Sequence, residues 1–233
     1  MFWSEGAASI LHQDEPALVA RGSALASQYK IYLGMTLSSW SPGAQRPLQN
    51  KIILIEPTGQ IAWQYLKAHP TPGPEMSMAA PHDGKLRQIV SPYGRLSAAI
   101  CYDMDFPRLL AQAGAFGADL VLSPAHDWPA IDPRHTEMAS FRAIEEGFNL
   151  VRQSEGGLSA AYDYEGHTLA TADNAFRDVA LTAQVPVRGT RTPYSVTGDW
   201  FSWLCVLCIP YFFFLARRSR RTDTIIEAVT AVS

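Results

Sequence analysis

The sequence predicts a mixed α/β fold: two mixed β-sheets face to face between outer helices, a four-layer α-β-β-α sandwich, followed by a C-terminal transmembrane helix. Three observations lead there. Helical and strand periodicities alternate through the middle of the chain, as sheets covered by helices require. Two apparent hairpins, turning at Pro57, Thr58 and Gly59 and again at Pro92, Tyr93 and Gly94, bring in antiparallel pairs, so neither sheet is purely parallel. The last part of the chain then becomes continuously apolar.

Residues 2–4 read as the first strand, placed in a sheet interior and lacking one neighbour. An Ala-rich helix follows over 18–29 and a strand over 30–37, with a Ser/Pro/Gly loop at 38–47. Strands at 51–55 and 60–66 form the first hairpin. The proline-rich residues 69–81 are excluded from regular structure and form a surface or site-lining loop. The second hairpin joins 86–90 to 95–100. A helix then runs from just after Cys101 to about Ala113, with Asp105 as N-cap, Pro107 in the first turn, and Gly114 and Gly117 as stops. A strand at 118–123 precedes a helix capped by Asp132 and opened by Pro133, whose Met138, Phe141 and Ile144 fall at helical spacing. Strands at 148–153, 158–162, 167–172 and 180–187 complete the series.

With 233 residues, 47% of them hydrophobic, the chain can bury one sizeable core, and a net charge of −3 excludes nucleic acid as the main partner. Three cysteines give no disulfide framework. Cys205 and Cys208 form a C-x-x-C inside an apolar run with no second ligand pair, so no metal is expected there. Residues 1–5 have no basic segment or cleavage signal and read as the end of a strand. Residues 200–216 carry no charge, and the 17 of them reach the lower limit for a membrane span. Arginines at 217, 218, 220 and 221 flank one end and Trp200 the other, so the arginines are expected in the cytoplasm and the globular part on the opposite face.

The chemistry is organised around Cys101. An apolar run ends at this residue and a helix start follows, which places a sulfur at a sheet edge and favours the thiolate. The plainer reading is a buried structural cysteine. Glu5 lies just past a strand end, Lys67 at the end of another, and Glu75 beyond the proline-rich loop. Each is ordinary alone; their order along the chain is not.

On these residues the chain resembles the carbon–nitrogen hydrolase (nitrilase) superfamily: Tyr65-x-Lys67-x-His69, then Pro72-Gly73-x-Glu75, then Ile100 through Asp103 with Phe106 and Pro107. Within it, the chain is similar to the apolipoprotein N-acyltransferases at Trp3-x-Glu5-x-Ala7, Phe141 through Glu145, Arg152, Gly157 through Ser159, and Tyr194 through Trp200. The resemblance implies a nitrilase-like sandwich with Cys101 as nucleophile, Glu5 as general base and Lys67 as oxyanion-stabilising lysine. Glu75 is then the auxiliary glutamate, and the Tyr102 backbone N–H a second oxyanion donor. No metal or organic cofactor is implied. The expected function is a membrane-anchored acyltransferase that forms a thioester on Cys101 and passes a fatty acyl group from phospholipid to the N-terminal amine of a lipoprotein. Met76, Met78 and Tyr93 are candidates to line its entrance. Residues 1–197 would be the catalytic domain, 198–216 the span and 217–233 a basic cytoplasmic tail, with the domain on the outer face of the cell membrane. His126 stands where the family often has asparagine, and the family's first strand and helix and the acyltransferases' membrane domain have no counterpart. An N-terminally truncated chain served by an upstream membrane domain or separate chain is therefore expected. An amidase or nitrilase acting on a small amide or nitrile, and an inactive truncated relative, remain the alternatives.

Overall fold

The computed structural model of the chain describes residues 1–173 and 180–230, with side chains as far as residue 217. It divides into two units, residues 1–196 and 197–233. In the first unit, β1 (Ala8–Leu11) leads through a short 3-10 turn into α1 (Glu15–Tyr29). The strands β2 (Leu33–Trp40), β3 (Leu48–Ile55) and β4 (Ile61–Leu66) follow. These make a four-stranded sheet in the order β1-β2-β3-β4, parallel at β1-β2 and antiparallel elsewhere. After a short helix, α2 (Pro74–Met78), come β5 (Gln88–Ser91), β6 (Gly94–Ala98), α3 (Pro107–Phe116), β7 (Leu120–His126) and α4 (Arg134–Glu146). The strands β8 (Asn149–Glu155), β9 (Leu158–Tyr162) and β10 (Thr168–Asp173) finish a six-stranded sheet in the order β10-β9-β8-β7-β6-β5, parallel at β6-β7 and β7-β8. Both sheets are mixed, as the hairpins required.

The strand β3 shows why the layers stack as they do. Successive side chains on a strand face opposite ways, yet Ile52, Ile53, Leu54 and Ile55 are all buried, so both faces of this sheet are covered. Ile53 and Ile55 pack with Met35, Leu37 and Ala26 of α1. Ile52, Leu54 and Tyr65 join Leu96, Ala98, Val121 and Phe148 in the core that includes the second sheet. Leu110, Ala113, Ala139 and Ala143 of α3 and α4 complete that cluster. Helix, sheet, sheet, helix is the resulting order.

Several expectations are corrected. Residues 2–4 are not a strand: Phe2 makes one parallel bridge to Gly34, at the sheet's edge rather than its interior. The segment leaves the sheet because Glu5 gives its N–H to Ala125 of the other sheet at 3.3 Å. The helix α3 is capped at Phe106, not Asp105, and runs through Gly114 to end at Gly117 (φ +67°). Gly114 is a packing residue, since a Cβ there would lie 2.0 Å from Glu146 Oε2. Asp132 does not cap α4; its carboxylate accepts the Leu158 N–H at 2.6 Å. The stripe Met138, Phe141 and Ile144 faces solvent, while α4 buries Ala139 and Ala143 together with His135 and Thr136. Residues 180–187 form no strand. Pro186 has no N–H to give a ladder, and its carbonyl is taken by the Asn149 side chain at 3.0 Å.

The short α5 (Pro193–Thr197) lies at the boundary between the units, and the second unit holds α6 (Trp200–Thr230). Its stretch Trp200–Arg217 has a mean hydropathy of 1.6 and is long and apolar enough to cross a membrane. Arg217 stacks on Phe213, its guanidinium carbon 4.5 Å from the ring centre.

Candidate active site

Glu5 sits in the turn that follows Phe2, 8% exposed, and its carboxylate gathers donors from both sheets. Oε1 accepts from Asn50 Nδ2 of β3 and from Lys67 Nζ, each at 2.7 Å, and Oε2 from the His126 N–H at 3.1 Å. Lys67, one residue past β4, also reaches Glu75 Oε2 at 2.9 Å and Thr71 Oγ1 at 3.2 Å. Asn50 Nδ2 bridges to Glu75 Oε1 at 2.7 Å, and the Thr71 N–H bonds Glu75 Oε2 at 2.8 Å. The proline-rich loop is thus pinned by Glu75, which α2 presents. Glu5, Lys67 and Glu75 are one network.

Burial opposes charge on Lys67, but Glu5, Cys101 and Glu75 together outweigh it, and the ammonium is held above the usual lysine range. Burial likewise pushes Glu75 up, and Lys67, Asn50 and Thr71 more than reverse it, so its carboxyl stays below the usual range.

Cys101 follows β6 and begins a 3-10 turn, Cys101–Asp105. Its φ of +49° is a left-handed value rare outside glycine. The buried Asp103 holds that turn. Its Oδ2 accepts from the Ile100 N–H at 3.0 Å and Tyr65 Oη at 2.7 Å, and its Oδ1 from the His69 N–H at 2.7 Å. The thiol points at the His126 carbonyl, 3.7 Å away. His126 therefore joins Cys101 and Glu5 through its backbone alone, giving N–H to Glu5 and C=O to Cys101. Burial and the Glu5 carboxylate push the Cys101 thiol up to about 12, against the pull of Arg152 and Lys67. The expected thiolate-favouring helix start is not there, since α3 begins six residues later. A neutral resting thiol needs a base, and of the two carboxylates near it, Asp127 is committed to Arg152, His135 and Ser154 while Glu5 opens onto the cleft.

An open cleft of about 410 Å³ exposes Glu5, Asn50, Lys67, Glu75, His126 and Trp128. Cys101, 3% exposed, stands behind this wall. A larger cavity beside Phe2, Trp3, Leu122 and Val151 has no titratable side chain on its walls and offers no such chemistry. Tyr102 follows Cys101 with its ring edge-on to Phe106, centroids 5.1 Å apart. Met76 and Met78 ride on α2 beside Glu75, but Tyr93 packs on Tyr32 at the β5-β6 turn and is no part of the cleft.

Asn50, the His126 backbone and the buried group Asp127, His135 and Arg152 were not read as site residues from the sequence. The available signal was polarity inside strands: Gln49, Asn50 and Lys51 interrupt the otherwise apolar β3. Cys101, Asp127 and His135 bring donor atoms within 4.8 Å of one another. A cation would find the carboxylate already occupied, because Arg152 Nη2 lies 3.1 Å from both Asp127 oxygens and Ser154 Oγ donates at 2.7 Å.

Fold and site together define a class, an α-β-β-α sandwich enzyme with a buried cysteine, a lysine and carboxylates where the two sheets meet. The Carbon-nitrogen hydrolase family matches residues 3–193, and the chain belongs to that family. An apolipoprotein N-acyltransferase from Geobacter metallireducens is 26% identical over 88% of this chain and 43% of its own length. Another from Gloeobacter violaceus is 34% identical over 49% of this chain and 22% of its own. The chain spans less than half the length of these relatives. Among solved structures, a carbon–nitrogen hydrolase from Helicobacter pylori G27 superposes with a TM-score of 0.65 at 20% identity, covering 76% of this chain and 69% of that one. An amidase from Nesterenkonia sp. AN1, carrying an acetamide moiety on its active-site cysteine, gives 0.62 at 22% identity over 70% and 64%. At that identity the likeness is one of fold.

Proposed function

We propose that this chain is the catalytic part of a membrane-anchored N-acyltransferase, with residues 1–197 as catalytic domain, 198–216 as span and 217–233 as cytoplasmic tail. The observation that carries this reading is the Glu5–Lys67–Glu75 network beside a buried cysteine, in a chain whose apolar Trp200–Arg217 stretch would hold that site at a bilayer. The acyltransferase relatives support it.

In the first half-reaction Glu5 takes the thiol proton and the Cys101 sulfur attacks an ester carbonyl carbon of a phospholipid. Lys67 and the Tyr102 N–H stabilise the oxyanion. The carbon–oxygen bond breaks, Glu5 returns the proton to the departing alcohol oxygen, and the acyl group remains on sulfur as a thioester. In the second, the N-terminal amine of a lipoprotein attacks that carbon and gives its proton to Glu5, and the leaving thiolate recovers it. No step calls for a metal or an organic cofactor. The catalytic domain then lies on the outer face of the cell membrane with the arginine flank inside.

The test is the full chain in phospholipid vesicles carrying a labelled acyl chain, supplied with a diacylated lipopeptide bearing a free amino-terminal cysteine. Labelled N-acyl lipopeptide, absent with Cys101→Ala, is expected. Ammonia release from small amides with no labelled lipopeptide would make the chain an amidase instead.

A further inference from the structure

Arg152 of β8 is the largest of the fully buried side chains. Its Nη2 lies 3.1 Å from both oxygens of Asp127, Nε donates to Thr136 Oγ1 at 3.0 Å, and Nη1 to Ser123 Oγ at 3.2 Å. His135 Nδ1 lies 2.6 Å from Asp127 Oδ1 and 2.8 Å from Arg152 Nη2. One ring nitrogen cannot donate to the first and accept from the second. The shorter contact, to a carboxylate, is the bond, so Nδ1 carries hydrogen. Nε2 faces a second carboxylate, 3.3 Å from Asp105 Oδ1, and against burial and Arg152 the two acids hold the imidazole above its ordinary pKa.

This group stands directly beside the nucleophile. The Cys101 sulfur, an Asp127 oxygen and a His135 nitrogen all lie within 4.8 Å of one another. In a Cys–His–Asp relay the imidazole stands between carboxylate and sulfur, which holds those two a ring's width further apart. Here the carboxylate faces the sulfur itself. Left alone, it would oppose a thiolate forming in a buried site.

We propose that Arg152 is a positioning residue for the nucleophile: clamped on Asp127 beside Cys101, its guanidinium cancels the carboxylate's charge and makes the thiolate attainable when Glu5 takes the proton. The proposal rests on Cys101 being the nucleophile. The charged groups around that sulfur come from five elements: Glu5 before β1, Lys67 after β4, Asp127 after β7, His135 on α4 and Arg152 on β8. Asp105 lies behind His135, and Glu75 behind Lys67. Of the cations acting on the thiol, Arg152 pulls hardest, ahead of Lys67.

The signs of two substitutions separate this role from packing. Arg152→Gln strips Asp127 of its guanidinium, leaving only His135 and Ser154 on it, and makes the thiolate harder to form. Asp127→Asn leaves Arg152 uncompensated and makes it easier. The experiment is iodoacetamide labelling of Cys101 in the full chain with Cys205 and Cys208 changed to Ser, followed by peptide mass spectrometry from about pH 6 to about pH 9. Below its midpoint the rate tracks the thiolate fraction, so a shift of about one unit, usual for a neighbouring charge, reads as about tenfold at fixed pH. Arg152→Gln is expected to slow labelling about tenfold, Asp127→Asn to speed it several-fold, and the double substitution to return it near the starting rate. Loosened packing alone would expose the sulfur and speed labelling in both single variants, and that result overturns the proposal. So does an unchanged rate in Arg152→Gln. Should Arg152→Gln fail to fold, Asp127→Asn decides, since a slower or unchanged rate there is equally fatal. Labelling needs no acyl transfer, so failure of the acyltransferase reading and failure of this one are read separately.

Discussion

Replacing Lys67 with methionine removes the cation that Glu5 and Glu75 share. The two carboxylates stay bonded to one Asn50 amide nitrogen, each at 2.7 Å, with no counter-charge. The Lys67 side chain is 2% exposed and that of Glu5 8%, so solvent does little to soften the loss. Breaking a buried pair from one side costs about 3–5 kcal/mol. At roughly 2–4 °C per kcal/mol for a chain of this size, the melting temperature near pH 7 should fall by about 6–20 °C. The pH dependence that this network contributes should also change sign. In the native chain Glu75 is held below its ordinary value, so its stabilising contribution is present above the unfolded value and is lost as pH falls through the folded one. In Lys67→Met the paired carboxylates rise above their unfolded values. Their contribution is then fully present below the unfolded value and is lost as pH rises through the folded one. Acidifying from about pH 7 to about pH 5 should raise the variant's melting temperature by more than the native chain's, whose own rise comes from Glu146, held up to about 7 by burial and Glu145. Thermal unfolding followed by near-ultraviolet circular dichroism measures both. A variant within about 2 °C of the native chain near pH 7, or one whose melting temperature changes in parallel with it on acidification, would refute the shared-cation reasoning.

Three further outcomes are expected. Cys101→Ala should fold normally, with a stability change of about 1 kcal/mol in urea titration, because it removes one small buried atom. Asp103→Asn should cost about 1–3 kcal/mol by turning an amide against donors that now find a carboxylate, and looser anchoring of the turn should quicken iodoacetamide labelling of Cys101. A chain ending at residue 197 should leave phospholipid vesicles in a flotation gradient while the full chain stays bound; flotation of the shortened chain would remove α6 as the anchor.

The runs around Glu5, Lys67, Glu75 and Cys101 are short and distinctive, although only Lys67 and Cys101 lie just past strands, with Glu75 on α2 and Glu5 in a turn. The strands around them were legible from apolar runs such as residues 51–55, and the two mixed sheets from the hairpins between them. Asn50, Asp127 and Arg152 were not, because a polar residue in or beside a strand ordinarily points to solvent and nothing local says that it meets a second sheet. The α4 stripe misled for a related reason. Met138, Phe141 and Ile144 form a good apolar face, but Thr136 and His135 must reach Arg152, which turns Ala139 and Ala143 inward instead. Residues 180–187 have the composition of a strand, yet Pro186 and the Asn149 amide commit the backbone elsewhere. Tyr93 sits at a hairpin tip, and which end of a sheet a tip occupies is a property of topology, not of sequence pattern.

The central claim is that Cys101, served by Glu5, carries the acyl group. The full chain incubated with phospholipid and no acceptor should gain the mass of one fatty acyl group. Peptide mass spectrometry should place it on Cys101 rather than Cys205 or Cys208. Hydroxylamine should release it as a thioester requires, and Glu5→Gln should abolish its formation. An adduct on either helix cysteine, or one formed at the native rate in Glu5→Gln, would contradict the assignment of nucleophile and base.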